Sequence, residues 1–406
     1  MKAFWRSPTI RSGVVYAAAG LGFAGANLIL ARVLPTAEYG LFTLIIAMVN
    51  LGHALGTGGI DGVVTRRHLE ATPELLLRSA SAALLIAAGL TIVAGVAYHL
   101  APWMLLVVFV STATGGVMMV ASARFQSEQR FGISLALMQS PNLVLMVAAI
   151  VVVLSSATEA WLPLSIAAVG FVVAACIGWG LLLIRSSRKP RPDNSFPWGD
   201  AFSFAGVNAA GLLLVQLDRL IIPHVLTVHE LATYGVLAAI AGSLFRVLSM
   251  GVGYTMVPRL RDAPGVLQRR ALVAHEAKLV GVLIVAGSAV IWVVTPLVEE
   301  WFLAGKYHLT GSLVLAALVG GVAKIANSFT KSVVSAVGTS AELIQVNLLG
   351  WGAVALAIPA ALLGARWGLA GLMYGVALGW MLNAGAGLYF ALRHLRLPTS
   401  VPVTAP

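Results

Sequence analysis

Charge is what this sequence has least of. Of 406 residues only 10% are charged, with 26 Lys and Arg against 15 Asp and Glu. A soluble domain is about a quarter charged, because its outer surface must be wetted. So small a share, beside 59% hydrophobic residues, excludes a string of ordinary soluble domains. Cysteine is nearly missing too. Cys176 stands alone inside an apolar run, so no disulfide closes within the chain. Catalytic signatures are absent as well: there is no HExxH, no Walker A loop, no cysteine–histidine pair, and no large loop with paired carboxylates. An enzyme is therefore not expected, nor a resident cofactor or metal.

What fills the chain is a series of apolar runs about 20 residues long, the length that crosses hydrocarbon as an α-helix. Helices are the default there, since every backbone N–H and C=O must be satisfied internally. Spans are read at 11–33, 40–60, 76–98, 102–123, 132–155, 161–184, 200–223, 233–257, 271–296, 311–333, 341–364 and 367–391. The expected fold is an all-α polytopic membrane protein of about 12 transmembrane helices in two six-helix bundles. Met1 to Arg11 is basic, and the apolar stretch behind it lacks a cleavage site, so it reads as a first span and not a removable signal.

The net charge of +11 does not form a basic face with interleaved aromatics, so nucleic acid is not an expected partner. It follows the loops instead. Twenty Lys and Arg, among them Arg66, Arg67, Arg124, Arg188, Arg259 and Arg261, fall in one set of alternate loops or at their edges. The opposite loops hold three, Arg32, Lys306 and Arg366. The positive-inside rule then places both termini in the cytoplasm. Trp5, Trp103, Trp161, Trp198, Trp301 and Trp367 lie near span ends, as interfacial anchors do.

The most polar linker, Arg185 to Trp198, divides the chain into 1–190 and 191–406 with six spans each. A weak repeat relates the halves. Val33-Leu34 followed by Tyr39-Gly40-Leu41 has its counterpart in Val225-Leu226 followed by Tyr234-Gly235-Val236, each between the first and second span of its half. Six being even, the halves lie in the same direction, related by an axis along the membrane normal.

The segment Leu30-Ala31-Arg32-Val33-Leu34-Pro35-Thr36-Ala37-Glu38-Tyr39-Gly40-Leu41-Phe42 resembles the first-loop signature of bacterial polysaccharide-biosynthesis membrane proteins. These are Wzx-type lipid-linked oligosaccharide flippases of the multidrug/oligosaccharidyl-lipid/polysaccharide exporter superfamily. Leu303-Ala304-Gly305-Lys306-Tyr307 is similar to the short Gly-x-Tyr loop before span ten of that family. The resemblance implies two six-helix bundles arranged as a V around a central cavity. It also implies movement of an undecaprenyl-pyrophosphate-linked O-antigen or exopolysaccharide unit to the outer leaflet of the bacterial cytoplasmic membrane, with lipids and other glycan-assembly membrane proteins as partners.

Charges within spans are costly, so they mark cavities or partners. Arg246 falls near the middle of span eight, where Ser243, Met250 and Gly253 share its face. Lys324, Asn327, Ser328 and Lys331 follow a 3–4 spacing and form a polar stripe on span ten. Asn208 and Arg219 lie eleven residues apart on span seven and point the same way. Together these suit a cationic lining for a pyrophosphate, whose lost hydration Arg and Lys offset. Snorkelling or structural pairing is the competing reading, and it weighs most on Arg219. Asn27 and Asn50 supply uncharged polar groups to the first half; Thr43 and Thr57 share the face of Asn50, suited to sugar hydroxyls or to interhelical hydrogen bonds. Asp218 and His53 are candidates for coupling to H+ or Na+. Arg32 and Glu38 flank the first turn and are expected to pair with each other. Two other functions remain open: export of cationic drugs, which calls for carboxylates where this chain has cations, and a non-transporting scaffold, in which midplane charges would be costly.

Overall fold

The structure, a computed structural model, describes residues 8–185, 196–263 and 265–395; for 8–17, 207–208, 244, 246–255, 258, 262 and 340 it describes the backbone alone. Among the described residues there are thirteen α-helices: α1 Pro8–Val33, α2 Thr36–Leu55, α3 Ile60–Arg67, α4 Pro73–Tyr98, α5 Pro102–Ser127, α6 Phe131–Ser155, α7 Trp161–Arg185, α8 Trp198–Val225, α9 Val228–Asp262, α10 Val266–Leu297, α11 Gly311–Val337, α12 Ser340–Gly364 and α13 Gly368–Leu395. All but α3 match the twelve expected spans. Nine described segments are long and apolar enough to cross a bilayer, one of them, Ala341–Leu395, holding both α12 and α13. The described apolar part of α1 is shorter, Ala18–Val33, and α9 carries acidic and basic residues at its two ends. The chain is an all-α polytopic membrane protein.

Neighbour relations repeat between the halves. In the first, α1 packs on α6, α2 on α4 and α5, α5 on α7, and α6 on α7. In the second, α8 packs on α12, α9 on α10 and α11, α11 on α13, and α12 on α13. The outermost helices correspond as well: α4 and α10 are the least buried spans and carry Leu85, Ile92, Val285 and Val293 on their exposed faces. Side chains of that kind are stable outside only against lipid.

The halves meet through α1 and α2 against α9, and through α2 and α3 against α8. The Tyr-Gly repeat lies in this seam. A Cβ on Gly235 would stand 2.5 Å from Thr43 Oγ1 and 3.2 Å from a Tyr39 ring carbon, and one on Gly40 would stand 2.5 Å from Val228 Cγ1. The residues that recur in sequence are thus the ones that let the halves touch.

The short α3 is an addition to the span pattern. Span two stops at Leu55 because Gly58 and Gly59 take left-handed φ of 57° and 76°, and Thr57 Oγ1 closes the turn by donating to Ala54 O and accepting from Gly59 N–H. A Cβ on Gly59 would come within 1.9 Å of Ala201 O in α8. Gly59→Ala therefore combines backbone strain with a clash against main chain across the seam, at a cost of about 2–4 kcal/mol. The expected result is a clear drop in the temperature at which detergent-solubilised protein leaves the monodisperse peak, read by size-exclusion chromatography after heating.

Candidate substrate cavity

Helices α8, α9, α11 and α13 enclose a cavity of about 440 Å³. The 3–4 spacing on α11 places Lys324, Asn327, Ser328 and Lys331 along it, as the sequence pattern indicates. Helix α8 adds Asp218 and Arg219, α9 adds Tyr234, and α13 adds Trp380. Lys324 Nζ lies 5.8 Å from the centre of the Trp380 ring, a cation held over an aromatic face. Arg219 is buried; its Nη1 donates to Gln216 Oε1 at 3.0 Å and its guanidinium lies 5.9 Å from the Tyr234 ring centre. The Tyr234 hydroxyl donates to Asp218 Oδ2 at 2.8 Å. Asp218 and Arg219, adjacent in sequence, thus both face the cavity but have separate partners. Asn327 Oδ1, Arg219 Nε and Trp380 Nε1 are buried without a hydrogen-bond partner among the described residues. Three cations and one carboxylate around one space, with hydrogen-bonding capacity to spare, form a site that favours an anion.

Two further cavities continue the first toward the face where α1 begins and α13 ends, the terminal face. One of about 500 Å³ shares Val215, Asn327, Lys331, Ser335 and Trp380 with it and adds Thr57, Asp61 and Met119 from the first half. The next, about 560 Å³, shares Asp61 and Met119 and reaches exposed Thr65, Arg66 and Arg261. The three thus lie in series between the exposed residues at the ends of α3 and α9 and the cavity that Lys324 lines.

On the opposite face the two halves are tied to each other, and these contacts form a seal. Lys306 Nζ, in the loop before α11, donates to the carbonyls of Ala31 (2.9 Å), Arg32 (3.4 Å) and Leu34 at the end of α1. A helix C-terminus presents unsatisfied carbonyls, and an ammonium suits it in both charge and hydrogen bonding. Burial pushes the Lys306 ammonium below its ordinary pKa and pushes the neighbouring Tyr307 phenol above its own. Tyr307 donates to Ala31 O at 3.1 Å and meets Tyr39 edge to face at 6.2 Å. The two sequence segments that carry the family resemblance are therefore in contact. The expected Arg32–Glu38 pair does not form. Arg32 lies over the Phe302 ring at 5.4 Å, and Glu38 accepts from Ala160 N–H at 2.8 Å, just ahead of α7. Tertiary partners at these helix ends displace the local pairing, since a carboxylate at a helix N-terminus is itself favoured.

Arg246 and Asn208 lie on α9 and α8, but their side chains fall outside the described residues. Asn27 is buried and donates to Phe23 O of its own helix at 2.8 Å. Asn50 lines none of the three cavities. His53 packs in the first half, 5.7 Å from the Phe171 ring and against Gly115. Tyr234 and Trp380 escaped the sequence reading as site residues, because an aromatic in an apolar span reads as packing.

An inward-facing multidrug resistance MATE family transporter of the MOP superfamily superposes with a TM-score of 0.68 at 13% identity, covering 94% of this chain and 98% of that one. The lipid II flippase MurJ in an inward closed conformation gives 0.68 at 10% identity, over 94% and 87%. A point mutant of the Vibrio cholerae MATE transporter VcmN gives 0.58 at 16%, over 96% and 95%. Identities so low carry the fold alone, and that fold is the one of MOP-superfamily membrane transporters. No curated protein sequence matches the chain. The chain belongs to the polysaccharide biosynthesis protein family, whose profile matches residues 29–310. That span opens just before the first-loop signature and closes just after Lys306-Tyr307.

Proposed function

We propose that this protein is a flippase for a polyprenyl-pyrophosphate-linked oligosaccharide, an O-antigen or exopolysaccharide unit, working from the inner to the outer leaflet of the bacterial cytoplasmic membrane. In this reading both termini are cytoplasmic, and residues 1–190 and 191–406 are the two bodies that rock in alternating access, with H+ or Na+ supplying the drive. The observation that carries it is the cavity where Arg219, Lys324 and Lys331 converge, with Asp218 as the sole carboxylate among the described lining residues. A diphosphate diester carries two negative charges and is poorly soluble in hydrocarbon, and cations in a low-dielectric space replace its hydration. Membership of a polysaccharide biosynthesis family supports a glycan as the group attached. Uncharged polar side chains along the wider cavities, such as Thr57 and Asn347, suit sugar hydroxyls.

The test is a leaflet-resolved assay in proteoliposomes with a fluorescent polyprenyl-pyrophosphate sugar, with and without an ion gradient. Protein-dependent transfer that unlabelled polyprenyl pyrophosphate competes away is the expected result. Transport of organic cations without movement of the lipid would overturn the reading in favour of drug export. No transport of either would leave a scaffold.

A further inference from the structure

The cavity holds an anion of its own. Asp218 is 4% exposed, lies beside Arg219 in sequence, accepts from the Tyr234 hydroxyl at 2.8 Å, and lines the same cavity as Arg219, Lys324 and Lys331. A buried carboxylate is stable only with hydrogen bonds and opposite charge; here Tyr234 supplies the first and the cations that would hold a substrate supply the second. Removing the cations' compensation is equally costly. An empty cavity lined by Arg219, Lys324 and Lys331 has to keep its water or find a counter-charge before it can close.

We propose that Asp218 is the internal counter-anion of the empty cavity, displaced from Lys324 when a diphosphate enters. The proposal rests on the flippase reading. The diphosphate and the Asp218 carboxylate compete for Lys324. Binding is thereby weakened to a level that permits release, and after release Asp218 again neutralises the cations, so the empty protein can return without a desolvated excess of positive charge. Asp218 is a specificity-determining group that acts by competing with substrate. Among the described residues, the charged and titratable groups that share the cavity with it are Arg219 on its own helix, Tyr234 on α9, and Lys324 and Lys331 on α11.

The test measures inorganic pyrophosphate binding to full-length protein in nanodiscs by calorimetry. Asp218→Asn, which keeps shape and removes charge, is expected to bind pyrophosphate about tenfold more tightly than wild type. In proteoliposomes it is expected to complete a first round of lipid transfer and then stall. Tyr234→Phe keeps the carboxylate and is expected to stay within about twofold of wild type in binding. Should Asp218→Asn alone fail to fold, the charge-balanced double variant Asp218→Asn/Lys331→Gln keeps Lys324 in place and the question open to measurement. It should bind pyrophosphate more tightly than Lys331→Gln alone. Equal or weaker binding in either comparison overturns the counter-anion role, as does an equal gain from Tyr234→Phe. A wild-type protein that binds pyrophosphate with this Asp218 dependence yet flips no lipid would instead overturn the flippase reading.

Discussion

Lys324→Gln is expected to lower the rate of lipid transfer by about a hundredfold, the loss of one charge-assisted contact in a site of low dielectric. Lys324 lines only the innermost of the three cavities, and its ammonium lies over the Trp380 ring, whose indole N–H is buried without a hydrogen-bond partner among the described residues. Lys331 lines the first and second cavities, so water from the terminal face reaches it more readily. Screening there makes Lys331→Gln a milder change, about fivefold. Lys324→Arg keeps the charge and the aromatic contact and retains more activity than the glutamine variant. The measurement is the initial rate in proteoliposomes, normalised to reconstituted protein, with the monodisperse fraction checked for each variant. Equal rates for Lys324→Gln and wild type would remove the cavity's cations from the mechanism.

How much of this was legible in the sequence depends on which force placed each residue. The twelve long helices were readable because a bilayer leaves the backbone no alternative to internal hydrogen bonding, so apolar length alone fixes them. The α11 stripe was readable for a related reason: Lys324, Asn327, Ser328 and Lys331 stand out in apolar surroundings and their spacing puts them on one face. Tyr234 and Trp380 were not readable as lining, since nothing in an apolar helix separates an aromatic that faces a cavity from one that faces a neighbour. The Arg32–Glu38 pairing failed on distance along the chain. The partner of Glu38 is Ala160, 122 residues away, and Arg32 lies over Phe302, in the turn that follows α10. Local spacing holds no information about such partners. The Tyr-Gly repeat shows the converse. Its recurrence was visible, yet only the fold shows that Gly235 and Tyr39 meet each other across the seam.

The seal on the face away from the termini yields the other large effect. Lys306→Met keeps the apolar stem and removes the ammonium that holds the carbonyls of Ala31, Arg32 and Leu34. Charged hydrogen bonds together with the helix-end interaction are worth about 2–3 kcal/mol, enough to shift an equilibrium between closed and open by about 30-fold to 150-fold. The shift has a direct readout. Replacing the exposed Cys176 by Ala and placing a single cysteine at Ala238, which lines the inner cavity one turn beyond Tyr234, gives a probe near the sealed end. A membrane-impermeant thiol reagent added on the sealed side is expected to label this cysteine slowly in the otherwise native chain and much faster with Lys306→Met. Tyr307→Phe removes the phenol's hydrogen bonding to Ala31 O and Thr36 but leaves the Lys306 ammonium in place, so its labelling rate falls between the two. The same opening lowers turnover, because a protein that no longer rests closed on that face presents Lys324 to the terminal side for a smaller share of the time. Unchanged labelling in both variants would mean that the seal is held by the packed Gly40–Val228 and Gly235–Thr43 contacts alone. Gly235→Val, which drives a branched side chain against Thr43, then becomes the substitution that opens it.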